Sequence, residues 1–177
     1  RGETLLELQS DFRTPLPSLT LEQTNFGLVA VRVAKSISGY FGTGKLTDSE
    51  ERSTEAQIFG QRARWVDYSG QVSVGRGPNR QLIPQGVALM EHPSNQDFPK
   101  KWHVREDGWM GPSLCRDLPV VLEQNQTLRE RSLIVAHDAQ GDHNRLAILA
   151  QNFAESAPFV LEKSTLPHTS HQVVRAD

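Results

Sequence analysis

Short segments of alternating apolar and polar residues, separated by glycine and proline, constrain this chain more than any other feature. Leu6, Leu8 and Phe12 share one face of a predicted strand over 3–12, because side chains alternate across a strand. The segment 26–34 carries apolar residues on both faces, which predicts a central strand. Further strands are predicted at 63–68, 86–91, 102–105 and 128–137.

Only one segment has helical periodicity. Its apolar residues recur at helical spacing, at Leu146, Leu149, Ala150 and Phe153. They predict a helix over 143–156 that begins at an Asp142 N-cap and ends before Pro158. Short strands, turn signals and one late helix predict an all-β antiparallel sandwich with one C-terminal helix. We expect a β-sandwich domain at 1–142, followed by the helix and a C-terminal tail at 143–177.

Charge and hydropathy exclude two classes of protein. The chain has 19 Lys and Arg against 21 Asp and Glu, and this balance disfavours binding to nucleic acid, which needs a basic excess. No apolar run approaches the roughly 20 residues that a membrane-spanning helix needs. The sequence predicts a soluble protein and leaves cytoplasmic, periplasmic and secreted locations open. It begins at Arg1 without a signal region, which predicts a processed form or a fragment.

The motifs for metal and nucleotide binding are incomplete. The single cysteine, Cys115, cannot form an internal disulfide or a thiolate zinc site. Gly39, Gly44 and Lys45 have the spacing of a phosphate loop, but Leu46 replaces the Ser or Thr that binds magnesium. We therefore expect no metal and no cofactor, and we interpret the long connection 35–54 as a flexible glycine loop.

Candidate binding residues cluster on the predicted strand 102–105. Trp102 and Val104 share one face, and His103 and Arg105 share the other. A titratable ring beside a cation and an aromatic surface suits a sugar ring or a carboxylate. The alternative is a core tryptophan beside a surface ion pair.

A second candidate is the histidine that ends the strand 86–91. His92 precedes Pro93 and is expected to project into a cleft as an acid, a base or a hydrogen-bond donor. The alternative is a turn histidine that is bonded to the backbone. Sequence alone leaves both interpretations open.

Several segments resemble a known bacterial family. These are Asn25–Ala34 (NFGLVAVRVA), Thr54–Ala56 (TEA), Gly60–Gly70 (GQRARWVDYSG), Gly86–Asn95 (GVALMEHPSN) and Trp102–Arg105 (WHVR). In this order they resemble the family named methane oxygenase PmoA, over roughly 3–138. The resemblance implies a portion of a galactose-mutarotase-like β-supersandwich, and therefore carbohydrate processing or binding.

Family members are usually longer, and the chain resembles their C-terminal half. We expect the exposed N-terminal strand to support self-association or to pair with a partner chain.

The residues and the resemblance together define the expected site. The expected catalytic residues are His92, His103 and Glu55, and the expected substrate-binding residues are Arg62, Asn95, Trp102 and Arg105. We expect these side chains to gather on one concave face and to take a small-molecule or carbohydrate ligand. The first functional hypothesis is an acid–base enzyme that acts on a sugar or a sugar-derived acid. A non-catalytic carbohydrate-binding or assembly sandwich is the second, and a monooxygenase-associated subunit, as the family name implies, is a distant third.

Overall fold

The computed structural model describes residues 2–138 and 141–176 and is an antiparallel β-sandwich. Its strands are β1 (Glu3–Phe12), β2 (Ser18–Leu21), β3 (Val31–Arg32), β4 (Lys45–Asp48), β5 (Trp65–Val74), β6 (Gln81–Glu91), β7 (Lys101–Arg105), β8 (Trp109–Ser113), β9 (Val120–Glu123), β10 (Leu128–His137), β11 (Phe159–Lys163) and β12 (His171–Arg175). The α-helices are α1 (Glu55–Ile58), a single turn, and α2 (His143–Ala154). Within the described ranges no helix is long and apolar enough to cross a bilayer.

The core lies on both faces of a five-stranded sheet with the order β1-β10-β6-β5-β4. A three-stranded sheet, β3-β8-β7, packs on one face, and the two sheets share a buried cluster that includes Val66, Tyr68, Leu89, Val104 and Met110. The other face is covered by α2, which buries Leu146, Leu149 and Phe153 against Trp65, Met90 and Val135. Because side chains alternate along each strand, the central strands β5, β6 and β10 supply apolar residues to both layers.

The predicted helix is confirmed, with the predicted cap. The Asp142 carboxylate accepts a hydrogen bond from the backbone N–H of Arg145 at 3.1 Å, which satisfies one of the free donors of the first turn. The helix ends at Ala154, two residues before the predicted end. An ion pair of 2.6 Å between Arg145 and Glu3 ties its first turn to β1.

Five of the six predicted strands have close counterparts, and two of those, β5 and β6, extend well beyond their predicted bounds. The segment 3–12 is β1, and 102–105 and 128–137 correspond to β7 and β10. The predicted end at residue 68 and the predicted start at residue 86 are wrong, because β5 continues to Val74 and pairs with a β6 that begins at Gln81. The two strands form one long hairpin whose turn lies at 75–80.

The prediction of a central strand over 26–34 is wrong. Only Val31 and Arg32 form a ladder, at the edge of the three-stranded sheet. The backbone N–H of Thr24 donates to the backbone oxygen of Cys115, and Val31 pairs with Met110. The seven residue steps from Thr24 to Val31 therefore lie opposite only five steps, from Met110 to Cys115. Two extra residues cannot enter a regular ladder. Only one of the two apolar faces packs on the core, since Val29 and Val31 contact it whereas Phe26 and Leu28 are exposed.

The connection 35–54 contains β4, which the interpretation as a flexible loop missed. Leu46 is buried in the core, and β4 pairs with β5 through four residues. Gly44 is required there, because a Cβ at this position would collide with the backbone of Ile37. A strand therefore begins at Lys45, where a phosphate loop needs a helix. The strands β2, β8, β9 and β12 were also not predicted.

The tail forms a hairpin, β11–β12, that is attached to β1. The Gln9 side-chain amide donates to the backbone oxygen of Phe159 and accepts from its N–H, both at 2.8 Å. β1 itself is the outermost strand of its sheet, and Leu5 and Leu6 are each 52 % exposed. β1 therefore provides the exposed sheet edge that the prediction of self-association requires.

Candidate functional site

The strand β7 separates core residues from site residues as its alternation predicted. Trp102 and Val104 are fully buried, and the Trp102 indole donates to the backbone oxygen of Ala63 at 2.8 Å. Trp102 is therefore a core residue, and the structure does not place it in a ligand site. His103 and Arg105 point to the opposite side, away from this core.

Three aromatic rings surround His103. The ring centres of Phe26, Phe59 and Trp109 lie 4.8, 5.4 and 6.4 Å from the centre of the imidazole. His103 is only 7 % exposed, and its buried Nδ1 makes no hydrogen bond within the described chain. Phe26 is 54 % exposed and forms the outer wall. We call His103 and these three rings the His103 site.

Charged groups line the rim of the His103 site. Arg32 pairs with Asp107 at 2.9 Å, and the more distant Arg105 guanidinium lies 3.7 Å from the same carboxylate. Glu55 enters from α1, and its Oε2 accepts a hydrogen bond of 2.6 Å from the backbone N–H of Glu106. The structure thus brings His103, Glu55 and Arg105 into one neighbourhood.

The electrostatic surroundings keep His103 neutral. Burial lowers the pKa of its imidazole, and the nearby Arg105 and Arg116 guanidinium groups lower it further, against the opposing effect of Glu55 and Asp107. A neutral imidazole offers one donor and one acceptor, so it can pair with a hydroxyl or take up a proton.

Arg116 is a functional candidate that the sequence interpretation missed. Its guanidinium carbon lies 4.5 Å from the ring centre of Phe59, in a cation–π contact. The chain approaches it closely at Gly60, which has a φ of +76° and where a Cβ would lie 2.9 Å from Nη2. Nη1 is buried and makes no hydrogen bond to any described residue. No local spacing signals this role, because Phe59 and Arg116 meet only in the fold.

Arg116 also lines a cleft of about 330 Å³ next to the His103 site, which we call the Arg116 cleft. Its other charged residues are Arg62, Asp97, Lys101 and Asp117. Arg62 pairs with Asp97 at 3.0 Å, and Lys101 pairs with Asp117 at 2.7 Å. Arg62, a predicted binding residue, therefore lies at this cleft with its charge already matched.

His92 and Asn95 lie in a different cluster, around the buried Arg131. Arg131 Nη1 lies 2.8 Å from His92 Nε2, and His92 Nδ1 lies 2.8 Å from the Ser94 hydroxyl. The Asn95 side chain donates to the backbone oxygen of Arg131 and accepts from its N–H. Burial, and then the charge of Arg131, lower the pKa of His92.

The expected single concave face is therefore divided. Both ring nitrogens of His92 are engaged, so this histidine holds the chain between β6 and β7 rather than facing a ligand. His92 contacts the ring of Phe153 on α2, whereas His103 contacts Phe26, Phe59 and Trp109. This arrangement agrees with the alternative of a turn histidine.

No metal centre is apparent in the described ranges, which contain no group of three His, Cys, Asp or Glu side chains able to hold an ion. Cys115 is buried, and burial raises the pKa of its thiol. The neighbouring Arg116 stacks on Phe59, and the thiol stays protonated at neutral pH.

Comparisons with known proteins give one match. The model of a family of unknown function, DUF6807, matches residues 1–151. The search of curated proteins and the search of solved structures found no match.

Proposed function

The chain belongs to the DUF6807 family, whose function is unknown, and we propose that it binds a sugar or a sugar-derived molecule at the His103 site. One observation carries the proposal. A nearly buried imidazole with an unpaired Nδ1 stands within a cage of three aromatic rings. A buried polar atom without a partner is unfavourable, and a ligand that supplies the partner removes this cost.

The chemistry of the site suits a sugar. The C–H face of a sugar ring packs on aromatic rings, and its hydroxyl groups need donors and acceptors at fixed positions. Phe26 and Trp109 supply the apolar surface, and His103, Arg105 and Asp107 supply the polar groups. The sequence resemblance to the PmoA-like family, and through it to mutarotase-like sandwiches, supports a carbohydrate as the ligand class.

Calorimetric titration with glucose, galactose and their uronic acids tests the proposal. Phe26→Ala should weaken binding by about tenfold, because it removes one wall of the cage. Phe41→Ala is the matched control, since Phe41 is 53 % exposed but lies outside the cage. Equal affinities for the two variants, with both melting like the wild type, would count against the His103 site.

A second candidate, an acid–base enzyme, is favoured by the lowered pKa of His103. The neutral imidazole would take a proton from a sugar hydroxyl, or from a carbon next to a carbonyl, and return it to the same substrate. Incubation of each sugar in D₂O, followed by proton NMR, detects exchange at carbon and change of anomer. Catalysis predicts exchange or anomer conversion above the buffer rate that His103→Gln abolishes. Binding without any rate enhancement would leave the site a binding site only.

A further inference from the structure

We infer that the ligand of the His103 site carries a carboxylate and that Arg116 binds it in the adjoining Arg116 cleft. This inference rests on the proposed function and narrows its substrate class to sugar-derived acids. It assigns a role to a residue that the expected site did not include.

Arg116 lies close to His103. Phe59 contacts both side chains, with its ring centre 4.5 Å from the guanidinium carbon and 5.4 Å from the centre of the imidazole. A ligand that rests against Phe59 can therefore place one end at His103 and the other at Arg116. The cleft volume of about 330 Å³ is within the range of small-molecule sites.

The charges that line the cleft are unevenly paired. Arg62 and Lys101 are each matched by an aspartate, at 3.0 and 2.7 Å. The hydrogen bond and charge of Lys101, and then the charge of Arg116, lower the pKa of Asp117, but Arg116 forms no ion pair within 4 Å of a carboxylate in the described chain. Its buried Nη1 makes no hydrogen bond there. A planar guanidinium presents two parallel N–H groups, which match the two oxygens of a carboxylate.

The net charge of the cleft lining favours a ligand group with a single negative charge. Three cations and two carboxylates line the cleft, so one positive charge is left unmatched. One carboxylate balances this charge. A doubly charged phosphate would exceed it and would lie near Asp97 and Asp117. The lining therefore favours a carboxylate over a phosphate group.

The Arg116 guanidinium is held in place by its neighbours. The Phe59 ring lies against one face of the guanidinium, and the backbone at Gly60 approaches it closely. A side chain at position 60 would displace the guanidinium, in addition to the strain of its positive φ. A donor that is held in place before binding loses little entropy when the ligand arrives.

Calorimetric titration with two matched pairs tests the inference: glucuronate against glucose, and galacturonate against galactose. In each pair the only difference is the carboxylate. We expect the wild type to bind at least one acid about 10- to 100-fold more tightly than its neutral partner, as for a charged hydrogen-bonded pair. Arg116→Gln should remove this preference, and Arg116→Lys should retain only part of it, because it keeps the charge but loses the fork.

The control is Arg64→Gln, which removes an exposed arginine outside the cleft and should preserve the preference. Melting temperatures report whether each variant is folded, and the lysine variant serves if the glutamine variant is not. Equal binding of acid and neutral sugar by the wild type overturns the inference and leaves the proposed function standing. Failure of all four compounds to bind overturns both. If inorganic phosphate displaces the bound sugar acid more strongly than acetate does, the result contradicts the choice of a carboxylate over a phosphate group.

Discussion

The His137 side chain on β10 contacts Asp67 on β5, and β6, the strand that lies between them, has a glycine at the point of contact. Its Nε2 lies 2.8 Å from Asp67 Oδ1, and the residue paired with His137 on the intervening strand β6 is Gly86. A Cβ at Gly86 would lie 2.5 Å from that same Nε2. The buried pair beside α2 therefore depends on a glycine in the middle of a regular strand.

Replacing this glycine tests the relationship. We expect Gly86→Ala to lower the free energy of unfolding by about 2–4 kcal/mol, because it overpacks the site and displaces the imidazole from Asp67. Urea denaturation measures the change. Gly39→Ala is the control, since the nearest atom to a Cβ there lies at 3.6 Å, an ordinary contact. A loss of less than about 0.5 kcal/mol at Gly86 would refute the account of this pair.

Lys100 is a buried cation that lies between two buried carboxylates. Its Nζ lies 2.7 Å from Glu91 and 2.9 Å from Glu130, and the lysine side chain is 1 % exposed. Lys100→Met leaves two buried carboxylates without their cation and should cost about 3–5 kcal/mol in urea unfolding. Lys101→Met, which removes a surface ion pair, should cost less than about 1 kcal/mol.

The cost of Lys100→Met should also depend on pH. Burial raises the pKa of both Glu91 and Glu130, against the opposing charge of Lys100. Without the lysine, the two carboxyl groups take up protons more readily, and protonation removes their repulsion. The variant should therefore be least destabilised at acid pH, and a cost that grows as the pH falls would contradict this reasoning.

His92 predicts a pH effect of the same sign. Its pKa is lowered in the folded state, so below the ordinary histidine pKa of about 6.5 the unfolded chain binds a proton that the folded chain does not. The contribution of His92 to stability is present above this pH and is lost as the pH falls towards the lowered value. The stability difference between wild type and His92→Gln, from urea unfolding, should be larger at pH 8 than at pH 5. An unchanged difference would show that His92 is not held neutral.

The edge strand β1 carries the prediction of self-association. Leu5 and Leu6 are half exposed, and β1 pairs on one side with β10. We expect sedimentation velocity to show association that increases with concentration, and Leu6→Lys to suppress it, because a charge at a sheet edge opposes strand pairing. Leu166→Lys, at an exposed leucine outside the sheets, is the control. A monomer at all concentrations would exclude pairing through β1.

Sequence patterns predicted the parts of the fold that depend on neighbouring residues. The helical spacing of Leu146, Leu149 and Phe153 places α2 correctly, and alternation places His103 and Trp102 on opposite sides of β7. The prediction of a strand at 26–34 failed because apolar residues indicate only that a segment is buried, whereas a strand also needs a partner of matching length in its ladder.

The candidate site was predicted only in part because its contacts are distant in sequence. Glu55 and Arg105 lie near His103, whereas His92 was expected there but contacts Arg131, 39 positions away. Arg116 reaches Phe59 only through the packing of the chain around β7 and β8. Patterns of residue spacing do not predict contacts between residues so far apart in the sequence, so the sequence could not identify Arg116 as a site residue.

The most direct test of the proposed function uses the three tryptophans as separate reporters. Trp109 belongs to the His103 site, whereas Trp65 and Trp102 are buried in the two core layers. Titration with glucuronate, followed by ¹H–¹⁵N NMR of the indole N–H groups, should shift the Trp109 signal in a saturable way and leave the other two unchanged. A saturable shift confined to Trp65 or Trp102, or no shift at a concentration where calorimetry shows binding, would contradict the assignment of the ligand to the His103 site.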